Sequence, residues 1–195
     1  MSDDAHIDPH SKGIAAEMEA LHQLEGEAYW KQLKSISERK EFKLVEKDIF
    51  SAAGQTDPDY PRLLDVAKKA VAQGYQVYIL PNPKTIRSAD LILQRKGFYR
   101  MYDVKTIYSG GSISSRLLES ANQTDRVILS IKARVNPRFL ANNLKFYFEN
   151  IDKAKEVLVF KGGKVIVVSR ATALSKGFQV RFRKAYINRV GGKQK

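Results

Sequence analysis

The stretch Asp90 to Lys105, DLILQRKGFYRMYDVK, decides how the rest of the chain is read. DLILQ and FYRMYDVK are apolar and aromatic enough for strands, and only Arg95-Lys96-Gly97 lies between them. So short a link nearly forces a hairpin, with Gly97 supplying a position that needs positive φ. With the turn at Lys96-Gly97, Arg95 faces Phe98, and counting back along both strands sets Asp90 opposite Asp103. Directly opposed side chains share a face with Cβ atoms roughly 4.5 to 5.5 Å apart, a distance at which two carboxylates repel. Lys105, two residues beyond Asp103, shares that face, while Tyr102 and Val104 point the other way. A register shift of one residue would put the two aspartates on opposite faces.

Two carboxylates and an ammonium on one face of a largely apolar hairpin match a divalent-ion site for phosphodiester hydrolysis. The carboxylates would hold a hard cation such as Mg²⁺, and the lysine would orient water or steady charge on the phosphoryl group. The same three residues also read as a cross-strand polar cluster at a sheet edge, with Lys105 neutralising the two aspartates.

Outward from the hairpin, the elements alternate. FKLVEKDIF (42–50) reads as a short strand, followed by a loop, AAGQTDPDYP, and by a helix, RLLDVAKKAVAQ, opened by Pro61 and closed by Gly74. YQVYILP reads as a strand leading towards the hairpin. Beyond it come the loop SGGS, the helix SSRLLESANQ, the strand RVILSI, and the helix PRFLANNLKFYFENI with Asn136 as its cap. EVLVF and KVIVVS close a second hairpin around Gly162-Gly163, and FQVRFRKAYI reads as a further edge strand. Upstream, residues 13–40 read as one helix weakened by Gly26. This order predicts an α/β fold, a mixed β-sheet flanked by helices with an N-terminal helical extension. The expected division is an acidic leader and helical extension over 1–40, a main domain over 41–190, and a basic tail over 191–195.

The charge is one-sided. Residues 1–50 hold 11 acidic and 7 basic residues, whereas 51–195 hold 10 acidic and 27 basic, and no carboxylate follows Glu156. Such a field concentrates polyanions, with nucleic acid the natural candidate. The absence of cysteine excludes a disulfide framework, a thiol nucleophile and thiolate-bound zinc or iron–sulfur sites. His6, His10 and His22 lack the spacing of a ligand set. No apolar run approaches a membrane span and the start is polar, so the expectation is a protein without a membrane segment or Sec-type signal, cytoplasmic or delivered into a target cytoplasm. Lys84, Arg87, Arg95, Lys96, Arg100 and Arg116 lie nearest the hairpin site in sequence and are candidates for contact with a phosphate backbone, each also readable as a solvated surface charge. Tyr99 and Tyr102 offer stacking faces but read as core.

The D, then D-x-K, hairpin resembles that of the PD-(D/E)xK nuclease superfamily. The surrounding order of GYQVYILP, SADLIL, MYDVKT, a Gly/Ser loop, a helix into ANQTDRVILSI, and EVLVF resembles the C-terminal tRNA nuclease domain of contact-dependent growth inhibition toxins, also found in phage and mobile-element proteins. The likeness covers roughly residues 42 to 170. It implies a restriction-endonuclease-like core with Asp90 and Asp103 as metal-binding carboxylates and Lys105 as the catalytic lysine. The superfamily adds an acidic ligand from the preceding helix, where this chain has only Asp65; Glu46 and Asp48 are the alternatives. Gln123 resembles a glutamine placed beside the active site for substrate phosphate or water, and reads equally as a polar helix end. The expected function is therefore a metal-dependent nuclease using Mg²⁺, or Mn²⁺ or Zn²⁺, with RNA, tRNA above all, favoured over DNA. An immunity protein is an expected partner. The competing expectations are a non-catalytic nucleic-acid-binding module of a mobile element, and an interaction domain whose acidic N-terminal helix covers its own basic face.

Overall fold

A computed structural model describes residues 9–82 and 88–190. The chain forms two compact units that divide between Met101 and Tyr102, and each is an α/β arrangement of mixed β-sheet and flanking helices.

In the first unit, helix α1 (Pro9–Ala20) passes through a 3₁₀ turn into α2 (Gly26–Ser37). The single helix expected over 13–40 is therefore two. Leu24 and Glu25 are extended, and Gly26 restarts the helix at a φ of 56°, a left-handed conformation that glycine adopts without a Cβ clash. Ile14, Met18 and Leu21 of the first segment and Leu33 and Ile36 of the second bury against Phe42, Tyr78, Leu80 and Ile92. The helices expected as an extension thus share the core of this unit.

The expected strand at 42–50 is a small hairpin. β1 (Lys43–Glu46) and β2 (Ile49–Ser51) pair antiparallel around Lys47-Asp48, with Asp48 at a φ of 62°, a region where aspartate is among the better tolerated residues. Helix α3 (Tyr60–Val71) then carries the chain to β3 (Gln76–Ile79), which lies parallel to β2, completing a βαβ crossover. The helix buries Tyr60, Leu63, Val66, Ala67 and Ala70, recurring at three- and four-residue steps. β4 (Leu91–Arg95) runs antiparallel to β3, with Leu91 opposite Ile79. Lys96 and Gly97 follow with φ of 51° and 80°. Positive φ at both central residues is the type I′ geometry expected of a two-residue hairpin turn at this position. Strand β5 (Phe98–Ile107) begins there and crosses into the second unit.

In the second unit, β5 pairs parallel with β6 (Arg126–Ile131), β6 parallel with β7 (Glu156–Lys161), and β7 antiparallel with β8 (Lys164–Ser169). Helix α4 (Ile113–Ser120) links β5 to β6 and α5 (Pro137–Asn150) links β6 to β7. Asn136 caps α5 as expected, its side chain accepting a hydrogen bond from the Arg138 amide at 2.9 Å. A short helix α6 (Arg170–Leu174) and the longer α7 (Phe178–Val190) end the described chain.

FQVRFRKAYI, expected as an edge strand, lies in α7. Its local alternation competes with a stronger period of four: Phe178, Phe182 and Tyr186 fall on one helical face, with ring centroids 5.7 and 6.0 Å apart in succession, and all three are buried. They join one apolar core with Ile113 and Leu117 of α4, Leu140, Leu144 and Phe148 of α5, and the sheet face carrying Val127, Leu129, Val157 and Val159.

Candidate active site

The register of the second unit places Asp103 beside Val127, which is beside Val157, and Lys105 beside Leu129, which is beside Val159. Asp103 and Lys105 therefore head two cross-sheet rows that are otherwise aliphatic and covered by helices. Ionised groups are rarely tolerated at such a position without partners. Asp103 is 1% exposed and its partners are present: Lys105 Nζ stands 3.1 Å from Oδ2 and 3.3 Å from Oδ1, and the Ser120 hydroxyl donates to Oδ2. Oδ1 receives the lysine alone.

Ser120 was not among the residues expected here, although a signal for it exists. Ile113, Leu117 and Ser120 are spaced four and three apart, so the stripe that buries the first two carries the serine inward as well. Gln123, the expected glutamine, lies in the turn after α4. It is half-buried, and its side chain makes no hydrogen bond among the described residues; its backbone amide donates to the Ser120 carbonyl at 2.9 Å.

Tyr147 of α5 is a second unexpected neighbour. It is 1% exposed, and its hydroxyl has no hydrogen-bond partner among the described residues. Burial, reinforced by the negative charges of Asp103 and Asp125, pushes its pKa up to about 12. The phenol is therefore neutral at any ordinary pH. On the opposite face of β5, the Tyr102 hydroxyl donates to Glu156 Oε1 at 2.5 Å, and the ring is buried, in keeping with its expected core role.

The other expected residues fall in the first unit or on the surface. Asp90 precedes β4, is 6% exposed, and accepts at its backbone carbonyl from the Leu80 amide at 2.9 Å. Asp65 pairs with Lys69 one turn along α3 at 2.6 Å, and Glu46 pairs with Lys68 at 2.9 Å. Asp48 occupies the β1–β2 turn. Among the described residues, no three histidine, aspartate or glutamate side chains gather closely enough to hold a metal ion. Arg95 is exposed with its guanidinium 5.3 Å from the Tyr75 ring centroid, Lys96 is exposed in the hairpin turn, and Arg100 is half-buried on β5. Arg116 is exposed on α4 and paired with Glu119 at 3.0 Å. Lys84 and Arg87 lie outside the described residues. A cleft of about 480 Å³ in the first unit, lined by Ile14, Lys40, Val45, Ser51, Gly54 and Tyr60 among others, contains none of the expected site residues.

Among the described residues, Asp103 is the one carboxylate in this cluster, held by Lys105 and Ser120. Carboxylate oxygens are the ligands Mg²⁺ and Mn²⁺ take, and Oδ1, bonded only by Lys105, keeps a lone pair for such an ion. No helix among the described residues is long and apolar enough to cross a membrane. Compared with protein-family models, with curated proteins and with solved structures, the chain matches none.

Proposed function

We propose that this protein is a metal-dependent nuclease that hydrolyses phosphodiester bonds, with RNA, and tRNA in particular, favoured over DNA. The observation that carries this reading is the buried Asp103–Lys105 pair, a D-x-K placed on an otherwise aliphatic sheet face and held by Ser120. A core has no structural need for a charged pair at the head of two valine and leucine rows. Well-packed apolar residues commonly serve stability as well or better, so function is the more economical reason for its presence.

In this reading Asp103 would supply a carboxylate ligand to the cation, beside Lys105. A bound divalent cation would supply Lewis-acid stabilisation there. Lys105 contributes a fixed ammonium that stabilises charge growing on the phosphate and orients the attacking water. Ser120 holds the Asp103 carboxylate in one rotamer, and burial keeps competing water from its oxygens. Tyr147, neutral at any ordinary pH, adds no charge near Asp103. The restriction-endonuclease-like assignment of the fold, the immunity partner and a cytoplasmic site of action belong to the same proposal.

One observation favours a second reading, a nucleic-acid-binding module without turnover: no three-carboxylate cluster occurs among the described residues. Cleavage assays separate the two. Purified protein is incubated with total tRNA and with plasmid DNA in Mg²⁺, Mn²⁺ or EDTA, beside Asp103→Asn and Lys105→Met variants shown to be folded by circular dichroism. Metal-dependent cleavage lost in both variants supports the nuclease; binding without cleavage under either metal overturns it in favour of the module.

A further inference from the structure

The C-terminal part of the second unit carries a cationic face that the proposed chemistry does not use. From Val157 onward no carboxylate occurs. α7 buries Phe178, Phe182 and Tyr186 on one side and presents Val180, Arg183, Lys184 and Ile187 on the other, at steps of three and four residues, all exposed. Lys176, just before the helix, and Lys164, at the start of β8, are exposed too. The side chains of Lys164, Lys176, Arg183 and Lys184 make no ion pair or hydrogen bond among the described residues.

The carboxylates of the second unit are engaged elsewhere among the described residues. Glu119 pairs with Arg116, Asp125 with Arg126 and Lys155, Glu149 with Lys145, Asp152 with Arg170, and Glu156 accepts from Tyr102. The face therefore keeps its field for an external anion. A helix that docks into a protein groove presents apolar anchors at i, i+3 or i+4, and i+7. Here the middle positions between Val180 and Ile187 are Arg183 and Lys184, so charge interrupts the stripe. A regular polyanion fits that pattern better than an apolar groove does.

We infer that the exposed face of α7, with Lys176, binds the phosphodiester backbone of a nucleic acid. The inference rests on the reading that nucleic acid is the substrate, and it adds where that substrate is held. α7 packs against α5 and β8, whereas Asp103 lies on β5, three strands from β8. At about 4.8 Å per strand that is roughly 14 Å across the sheet. The helix is itself about 20 Å long. The contact therefore lies away from the reacting phosphate and acts on affinity and register rather than on the bond broken.

The test uses the full-length chain in EDTA, so that binding is read without cleavage, with fluorescein-labelled total tRNA and fluorescein-labelled polyglutamate as probes. Wild type is compared with a triple variant, Lys176→Gln, Arg183→Gln and Lys184→Gln, and with a charge-matched control, Lys31→Gln, Lys34→Gln and Lys145→Gln, each of whose cations pairs with a glutamate four residues away. Each lost phosphate contact lowers the slope of log K against log salt by about 0.7 to 0.9. The expected result is a slope smaller by about 2 and tRNA affinity at least about tenfold weaker for the α7 variant, with little change for the control. Equal weakening by both variants, an unchanged α7 variant, no tRNA binding by wild type, or tighter binding of polyglutamate than of tRNA at matched salt each overturns the inference. The last would assign the face to an acidic protein. Wild type that binds tRNA through α7 yet cleaves nothing in Mg²⁺ or Mn²⁺ would sink the nuclease reading and leave this one standing.

Discussion

Lys105 Nζ stands 3.1 Å from Asp103 Oδ2 on a strand where both side chains face the helix-covered side of the sheet, the lysine 14% and the aspartate 2% exposed at the side chain. Removing one partner leaves the other charged and unsatisfied. Lys105→Met is expected to cost about 3 to 5 kcal/mol of stability, and Asp103→Asn in the same background to recover part of it. A double-mutant cycle by urea denaturation measures the coupling, expected in the range of about 1 to 3 kcal/mol. Additive single effects would mean that the pair is not formed.

Ser120 should matter through the same carboxylate. Its hydroxyl donates to a charged, buried acceptor, and such bonds contribute about 1.5 to 3 kcal/mol. Ser120→Ala is expected to lower stability by about that amount and, on the proposed function, to reduce cleavage by misorienting Asp103. A variant as stable and as active as wild type would remove the serine from the site.

Tyr147 makes an alkaline signature. Its pKa is raised from 10 to about 12 in the folded state, so the folded protein keeps a proton that the unfolded chain releases. The contribution is fully present below pH 10 and is lost as pH rises from about 10 to 12. Over that window the loss is at most about 3 kcal/mol. Because the hydroxyl has no partner among the described residues, Tyr147→Phe should change stability at pH 7 by no more than about 1 kcal/mol, in the stabilising direction. Thermal melts of the variant should also show a flatter alkaline decline between about pH 10 and 12 than those of wild type.

The hairpin turn offers a test of register. Lys96 adopts a φ of 51°, which asparagine tolerates better than lysine, and Asn-Gly is the preferred type I′ pair. Lys96→Asn is expected to raise stability by several tenths of a kcal/mol, up to about 1 kcal/mol, in thermal denaturation, and Gly97→Val to lower it. The opposite signs would place the turn elsewhere than Lys96-Gly97.

Much of this protein follows from the sequence by itself. The order of strands and helices from Tyr60 to Ser169, the turns at Lys96-Gly97 and Gly162-Gly163, the Asn136 cap and the shared face of Asp103 and Lys105 all follow from local rules. Period, propensity and turn chemistry act within a few residues, so they can be read without knowing the partners. What failed was also local in form but decided at a distance. The helix expected over 13–40 broke at Gly26, and FQVRFRKAYI became α7, because Phe178, Phe182 and Tyr186 gain more from joining the aliphatic core of α5 and the sheet than a lone edge strand would gain from pairing. Only the tertiary structure could bring Ser120 and the neutral phenol of Tyr147 towards Asp103. They come from two helices, 17 and 44 residues further along the chain, that cover the strand bearing it, and sequence spacing carries no record of which helix lies over which strand.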